Sequence, residues 1–243
     1  MKTTYVTGAD RGLGHALTTV LLEKGYKVYA GQFMPEWKEL SVLKEKYGEQ
    51  LVILPLNIAD LIQVTHVANV IKENEGSLDI LFNNAAIHDF IGKKTIFDFF
   101  IEEDYKMMQR IYDVNTLGTL RITQSVIDLI VKGDSKVIVN ISSEAGSIAG
   151  NWRNDDYGYC MTKAAINMQS SILQHSVLHL GIKVLAVHPG WLRSYMGGKL
   201  NEEATEEPMD VAYSIMDNIL GREDLMDLAS HIFWDYRGIQ MAF

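Results

Sequence analysis

The chain has 243 residues, 47% hydrophobic and 22% charged, with a net charge of −9 and a single cysteine. That length and balance suit one large α/β domain with a substantial core, and an acidic chain without a dense Lys/Arg cluster would repel nucleic acid. The lone Cys160 rules out an internal disulfide, "MKTTYVTGAD" turns polar too soon for a signal peptide, and no apolar run nears membrane-spanning length, so a soluble cytoplasmic protein away from the membrane is expected.

Short apolar runs alternate with helical patterns from end to end. "TTYVTG" (3–8) is a strand stopped by Gly8. Leu13, Leu17, Val20 and Leu21 recur at helical spacing over 12–24, and Gly25 ends that helix. The strand "KVYAGQF" (27–33) follows, then a charged helix near 36–47 and the strand "LVILPLN" (51–57). A helix over 60–73 leads to "LDILFNNAA" (78–86), a buried strand with a polar end. One helix is predicted over 104–131, then the strand "KVIVNIS" (136–142). The next helix carries Tyr159 and Lys163, runs to about Leu180 and is capped by Gly181; "IKVLAVHPG" (182–190) is a strand, and "HIFWDYRG" supplies a candidate last one. This alternation predicts a single doubly wound, mostly parallel sheet of Rossmann type with helices on both faces. No Pro/Gly/Ser linker and no repeat divides the chain, so residues 1–243 are expected to form one domain. Ligands of such folds bind at the carboxyl ends of the strands, where Gly8, Asn57, Asn84, Ser143 and Pro189 fall.

"TGADRGLG" (7–14) joins the first strand to the first helix. Gly8 permits a tight turn, Gly12 lets backbone approach a pyrophosphate, and Gly14 lets helix and strand pack closely. A glycine triplet alone is weak evidence; at a strand-to-helix junction near the start of a βαβ pattern it points to dinucleotide binding. The spacing is G-x-x-x-G-x-G rather than G-x-G-x-x-G.

Tyr159 and Lys163 stand at i and i+4, on one face of a helix. A tyrosine near pKa ~10 is a poor acid or base at neutral pH, and a neighbouring ammonium favours the phenolate. The pair would make a proton donor tuned toward working pH. A buried tyrosine beside a surface lysine is the structural alternative.

Six segments in order carry a resemblance: "TGADRGLG", "NNAA" (83–86), "VNTLG" (114–118), "NISS" (140–143), "YCMTK" (159–163) and "HPGWLRS" (188–194). Together they resemble the short-chain dehydrogenase/reductase family across the whole chain. Within it, "DRGLG", the run from Ser142 to Asn167, "HPGWLRSYMGG" and the tail "FWDYRGIQMAF" are most similar to the C-factor/sniffer-like carbonyl reductases. The sequence departs from the family in having Ala86 where a glycine is usual. Many members also place the serine about thirteen residues before the tyrosine, which here is Gly146, with "NWRNDD" (151–156) as extra loop. Ser143 is favoured over Ser142 by its place at the strand end, with Ser147 a third candidate.

The resemblance implies an NADPH-dependent reductase of a ketone or aldehyde, with the pro-S hydride transferred and Tyr159 protonating the oxygen. It assigns Asn115, Ser143, Tyr159 and Lys163 to catalysis: Ser143 to the substrate oxygen, Lys163 to the nicotinamide ribose hydroxyls, Asn115 to a water linking Lys163 to solvent. It implies cofactor contacts from Gly8, Asp10, Arg11, Gly12, Leu13, Gly14, Asn57, Ile58, Asn84, Ala85, Tyr159, Lys163, Pro189, Gly190, Leu192 and Ser194. Gln32 stands where an NAD-preferring site needs an acid, so NADPH/NADP is expected over NADH/NAD, with Arg11 near the 2′-phosphate and Asp10 beside it a counter-signal. Two long helices, 104–131 and 159–180, carry Ile111, Leu117, Leu120 and Ile127, and Ala164, Ala165, Met168 and Ile172, on more than one face. By resemblance they pair with their copies in a homodimer or homotetramer. C-factor-like relatives keep a cofactor-bound signalling or developmental protein with little turnover as the rival reading, and the alcohol-oxidising direction stays open.

Other signals are expected to be structural. His175 and His179 lack a third ligand, so no metal is expected. "EEDYK" (102–106) and "NEEATEE" (201–207) are expected as solvated helix starts or a mobile loop, and Cys160 as a small buried hydrophobe. The segment from Ser194 to about Asp210 is the expected substrate-side loop, with Gly197 and Gly198 as hinge candidates. Trp152 could cover the site or simply pack.

Overall fold

The structure is a computed structural model that describes residues 1–88 and 94–243. Seven strands form one parallel sheet in the order β3-β2-β1-β4-β5-β6-β7. They are β1 (Thr3–Val6), β2 (Lys27–Gln32), β3 (Leu51–Pro55), β4 (Ile80–Asn83), β5 (Val137–Ile141), β6 (Lys183–His188) and β7 (Phe233–Asp235). Each is shorter at its carboxyl end than the apolar run suggests, because Gly8, Asn84 and Pro189 have already left the ladder for the loops. The tail does supply β7, with Phe233 registered on Ala186.

Side chains leave a strand alternately on its two faces, and the two cores follow that period. Ile80 and Phe82 of β4, and Val137, Val139 and Ile141 of β5, pack in one core with α1 (Gly12–Glu23) and α2 (Glu39–Tyr47). Leu81 and Ile138 pack in the other with α3 (Leu61–Asn74) and α5 (Thr119–Lys132). Each fully buried Leu, Ile, Val or Phe stabilises the fold by about 1.5–3 kcal/mol relative to leaving it in water. Between the layers runs a polar ladder. Asn83, registered on Asn140, donates to its side-chain oxygen at 2.8 Å, and Asn140 donates to Ser170 Oγ at 2.8 Å.

Two departures from the predicted elements matter. The expected helix over 104–131 is α4 (Glu102–Tyr112) and α5 separated by a π-helical turn, Asp113–Gly118. A second departure is α7 (Pro208–Ser214), continued by a π turn to Ile219, in what was expected as loop and unassigned tail. Pro208 opens it at the first helical positions, and Val211, Ala212, Ile215, Met216 and Ile219 fill the first core. The helix predicted from Tyr159 to Leu180 is α6 (Tyr157–Val177) followed by a short 3₁₀ turn. A last short helix, α8 (Glu223–Met226), precedes β7. No helix among the described residues is long and apolar enough to cross a membrane.

The strand order reverses between β1 and β4, which opens a crevice at their carboxyl ends.

Candidate active site at the carboxyl ends of the strands

The glycine loop lines that crevice. Gly8 has φ +63°, and a Cβ there would lie 2.8 Å from the Ala85 Cα. A Cβ on Gly14 would lie 2.1 Å from the Gly8 carbonyl oxygen, so helix α1 can approach the loop only as glycine. Gly12, at φ +56°, opens α1; its N-cap Arg11 gives no side-chain cap. The first-turn amides of a helix have no intrahelical acceptor, and Gly8, Gly12 and Gly14 put no side chain beside them at those three positions. The cradle fits a pyrophosphate.

The other residues expected around a cofactor divide into those that can face it and those that shape the loop. Asn84 donates to the carbonyls of Thr7 and Gly8 at 2.9 and 3.0 Å, while Thr7 Oγ1 accepts from the amides of Asn84 and Ala85. These two residues brace the glycine turn. The Leu13 side chain lies in the core, leaving its backbone for a ligand. Ile58 is buried against Gly118, where a Cβ would lie 2.8 Å from Ile58 Cδ1. The Asn57 side-chain oxygen accepts from the Ala59 amide at 3.0 Å, an Asx turn that engages its acceptor.

Asp10 is the sharper finding. It is buried, and one carboxylate oxygen accepts from the amides of Phe33 and Met34 at 2.9 and 2.7 Å. The glycine loop therefore places an acid at the end of β2, although Gln32 itself is none. Its role is to anchor the turn after β2. Arg11 lies outside that turn, its guanidinium 4.9 Å from the Trp37 ring centroid and 6.0 Å from that of Tyr195. Trp37 and Tyr195 meet edge to face at 4.8 Å, so the loops after β2 and β6 touch across the crevice.

Beyond β6, Pro189 leads to Gly190 at φ +79°, where a Cβ would lie 2.7 Å from Glu206 Cγ. Leu192 bridges to Glu206, and the Arg193 amide donates to the Glu206 carbonyl at 2.9 Å, which closes the base of the 194–205 loop. Ser194 sits against the glycine loop; a Cβ on Gly12 would be 3.5 Å from its own.

Three of the four candidate catalytic residues, Ser143, Tyr159 and Lys163, meet at the end of β5, and the fourth, Asn115, reaches α6 through Thr162. Asn115 sits in the π turn, fully buried; its oxygen accepts from the Ile87 amide at 2.8 Å and its nitrogen donates to Ile87 O and Thr162 Oγ1. Ser142 is buried and donates to Asn167 at 2.6 Å, so its hydroxyl is spent. Ser143 accepts from the Ala145 amide and stands beside Tyr159. Ser147 is buried and accepts from the Gly150 amide. Gly146, thirteen residues before the tyrosine, packs directly on α6: a Cβ would lie 2.5 Å from the Lys163 carbonyl carbon. No serine fits there.

The electrostatics reverse one expectation. Lys163 is buried and donates to the Ile141 carbonyl at 2.8 Å, with its nitrogen 5.5 Å from the Tyr159 ring centroid. It does not depress the Tyr159 pKa. Burial dominates and pushes the phenol well above the ordinary range; the Asp156 carboxylate adds to this, and the Ser143 hydroxyl acts the other way. Burial also pulls the Lys163 ammonium down to about 8. The thiol of Cys160, half-buried and near Asp156, is pushed up to about 11, which leaves it inert at neutral pH.

Sequence reasoning missed two residues at this site. His88, just past β4, stacks on Tyr159, and Asp156 precedes α6 with a left-handed backbone. Neither lies in a periodic segment, so only tertiary placement reveals them. The extra loop is tied down by Arg153, which grips the Glu144 carboxylate with both nitrogens. Trp152 is 76% exposed and stacks on Arg153, so it does not roof the site. His175 and His179 are exposed.

The short chain dehydrogenase family model matches residues 2–205. Mouse retinol dehydrogenase 5 is 32% identical over 192 residues, 78% of this chain and 56% of that protein. The 3-oxoacyl-(acyl-carrier-protein) reductase FabG of Thermotoga maritima is 31% identical over 207 residues, covering 84% of this chain and 80% of its own. The chain thus spans little more than half the length of the mouse relative and most of the bacterial one. Among solved structures, the NADPH-bound carbonyl reductase from chicken fatty liver has a TM-score of 0.86 at 28% identity, covering 100% of this chain and 99% of its own. Carbonyl reductase Sniffer of D. melanogaster has a TM-score of 0.87 at 23% identity with both chains fully covered, a likeness of fold.

Proposed function

The chain belongs to the short-chain dehydrogenase family, and from that premise we propose that it is an NADPH-dependent reductase of a ketone or aldehyde carbonyl, residues 1–243 acting as one domain. The observation that carries this reading is the meeting of Ser143, Tyr159 and Lys163 at the end of β5, beside a glycine cradle shaped for a pyrophosphate. The likeness to the NADPH-bound chicken enzyme supports both the reaction and the cofactor.

NADPH, when bound, supplies the hydride. The chain supplies the rest. Backbone amides of residues 12–14 would hold the pyrophosphate. Lys163 gives one of its three N–H donors to Ile141 and keeps two for ribose hydroxyls. Ser143 directs the carbonyl oxygen, and Tyr159 donates its phenolic proton there. Burial keeps the Tyr159 proton in place at neutral pH but also makes the phenol a weaker acid, so donation has to be assisted by its neighbours at the site.

The test is NADPH consumption against a panel of ketones and aldehydes. Tyr159→Phe keeps the ring and removes the proton; turnover should fall by about a hundredfold or more, with NADPH affinity preserved. Bound NADPH with no turnover on any carbonyl would favour the rival, a cofactor-bound signalling protein. Cofactor choice has its own test. One charge-assisted contact from Arg11 to a 2′-phosphate is worth about 1.5–3 kcal/mol, roughly ten- to a hundredfold in affinity. Arg11→Ala should erase that margin over NADH and leave NADH binding nearly unchanged. Equal binding of both cofactors by the unaltered protein would remove Arg11 from this role.

A further inference from the structure

His88 makes two contacts that the fold alone does not require. Its ring stacks on Tyr159, centroids 4.7 Å apart and planes inclined by 28°. Its Nε2 lies 3.3 Å from Asp156 Oδ2. Asp156 is the N-cap of α6, a position where an aspartate normally accepts from the first-turn amides, yet it makes no such bond. It adopts φ +60°, one of two described non-glycine residues with positive φ. Aspartate tolerates that conformation better than most residues, and such backbone clusters at functional sites. The carboxylate has left the helix terminus and taken a histidine instead.

The placement of His88 is itself built. The residue before it, Ile87, is fixed through both its amide and its carbonyl by the buried side chain of Asn115. The π turn therefore sets the end of the β4 loop, and that loop lays an imidazole on the tyrosine. Tyr159 stands in the first turn of α6, where helices fray and a phenol has freedom about two torsions. A partly exposed contact of this kind contributes little to stability, so it is not explained as a fold-stabilising bridge. Proton donation demands that the hydroxyl be held within a fraction of an ångström.

We propose that His88, tethered by Asp156, is a positioning residue that stacks the Tyr159 ring into its proton-donating orientation. The proposal rests on Tyr159 as the proton donor. It predicts that the aromatic face matters more than the imidazole chemistry. His88→Ala should lower kcat by about tenfold, with KM for NADPH within about twofold of the unaltered protein. His88→Phe, which restores a ring, should recover most of kcat. Asp156→Asn, which keeps tolerance for the left-handed backbone but exchanges the carboxylate for a weaker amide acceptor, should fall between.

A measurement without substrate stands beside these. Tyrosine labelled with ¹³C in the ring gives a Tyr159 signal, identified by its loss in Tyr159→Phe. The signal should move when the stack is removed in His88→Ala and return toward its place in His88→Phe. Wild-type kcat with an unmoved signal in His88→Ala would overturn the proposal, as would a His88→Phe protein as slow as His88→Ala. Full turnover in Tyr159→Phe would remove the tyrosine from the chemistry and the proposal with it. An inactive Tyr159→Phe together with a fully active His88→Ala would remove His88 alone.

Discussion

Lys163 shows how two opposed effects are decided by burial at a single residue. A lysine one turn from a tyrosine is expected to lower the phenol's pKa. Here the ammonium turns to the Ile141 carbonyl, and loss of water dominates at each group, raising the phenol and lowering the ammonium. The consequence for stability has a sign. Lys163 has a folded pKa of about 8, depressed from 10.5. Between those values the unfolded chain binds more protons, so stability rises with pH and falls again as pH drops through about 8. From about pH 7 to about pH 9.5 the gain is about 2 kcal/mol. Lys163→Met removes the titration, so urea unfolding should show the unaltered protein gaining that much relative to the variant. Lys183, also drawn down to about 8 by burial, is present in both proteins and cancels. A difference that does not change with pH would show that the buried ammonium is solvated by other means.

The site is assembled by close contact between short elements. The 3₁₀ turn Glu144–Gly146 lies against α6 so tightly that Gly146 has no space for a side chain. Gly146→Ala should push a methyl into the backbone of Lys163 and Ala164. Overpacking of this kind costs about 1–3 kcal/mol, measurable by urea unfolding, and turnover should fall because α6 carries Tyr159 and Lys163. An unchanged stability would mean the turn can retreat. This contact also explains what was and was not legible in the sequence. The glycine at 146 is visible, but its reason is tertiary, so sequence reasoning can register only that the expected serine is missing. The strands are legible as short apolar runs with polar or glycine-bearing ends, and α1 as apolar residues at helical spacing closed by Gly25. The π turn at Asp113–Gly118 is hidden, because one extra residue per turn does not interrupt an apolar pattern read at helical spacing. The helix at Pro208 is obscured by the acidic run before it, although proline at its start and Val211, Ile215 and Ile219 carry its signal. His88 and Asp156 leave no mark in one dimension.

For the whole molecule, the sheet buries both its faces, yet apolar side chains remain outside. Leu117 and Leu120 near the start of α5, with Met161, Met168 and Ile172 on α6, are between 38% and 63% exposed. Ile111 is buried and Ile127 packs against the second core, so these two belong to the monomer rather than to an outer face. Ala164 and Ala165 are half-buried. The remaining set is the face proposed to pair with a second copy in a homodimer, where stable contacts bury about 1,600 Å² in total. Light scattering at micromolar concentration should return twice the chain mass, and Met168→Glu with Ile172→Glu should return one. A monomeric mass for the unaltered protein would count against the dimer.

The polar ladder between β4, β5 and α6 ties the precision of the site to a register. Asn83 donates to Asn140 only when those strands align as observed, Asn140 donates in turn to Ser170 on the helix that bears Tyr159 and Lys163, and the Asn83 oxygen is left without a partner. A one-residue slip of either strand would send the two amides to opposite faces and break their bond, at about 1–3 kcal/mol for each group left unsatisfied. The ladder thus favours one register of these strands over its neighbours. Chains that pair out of register meet a penalty at the same joint that sets the distance from the β5 serine to the α6 tyrosine.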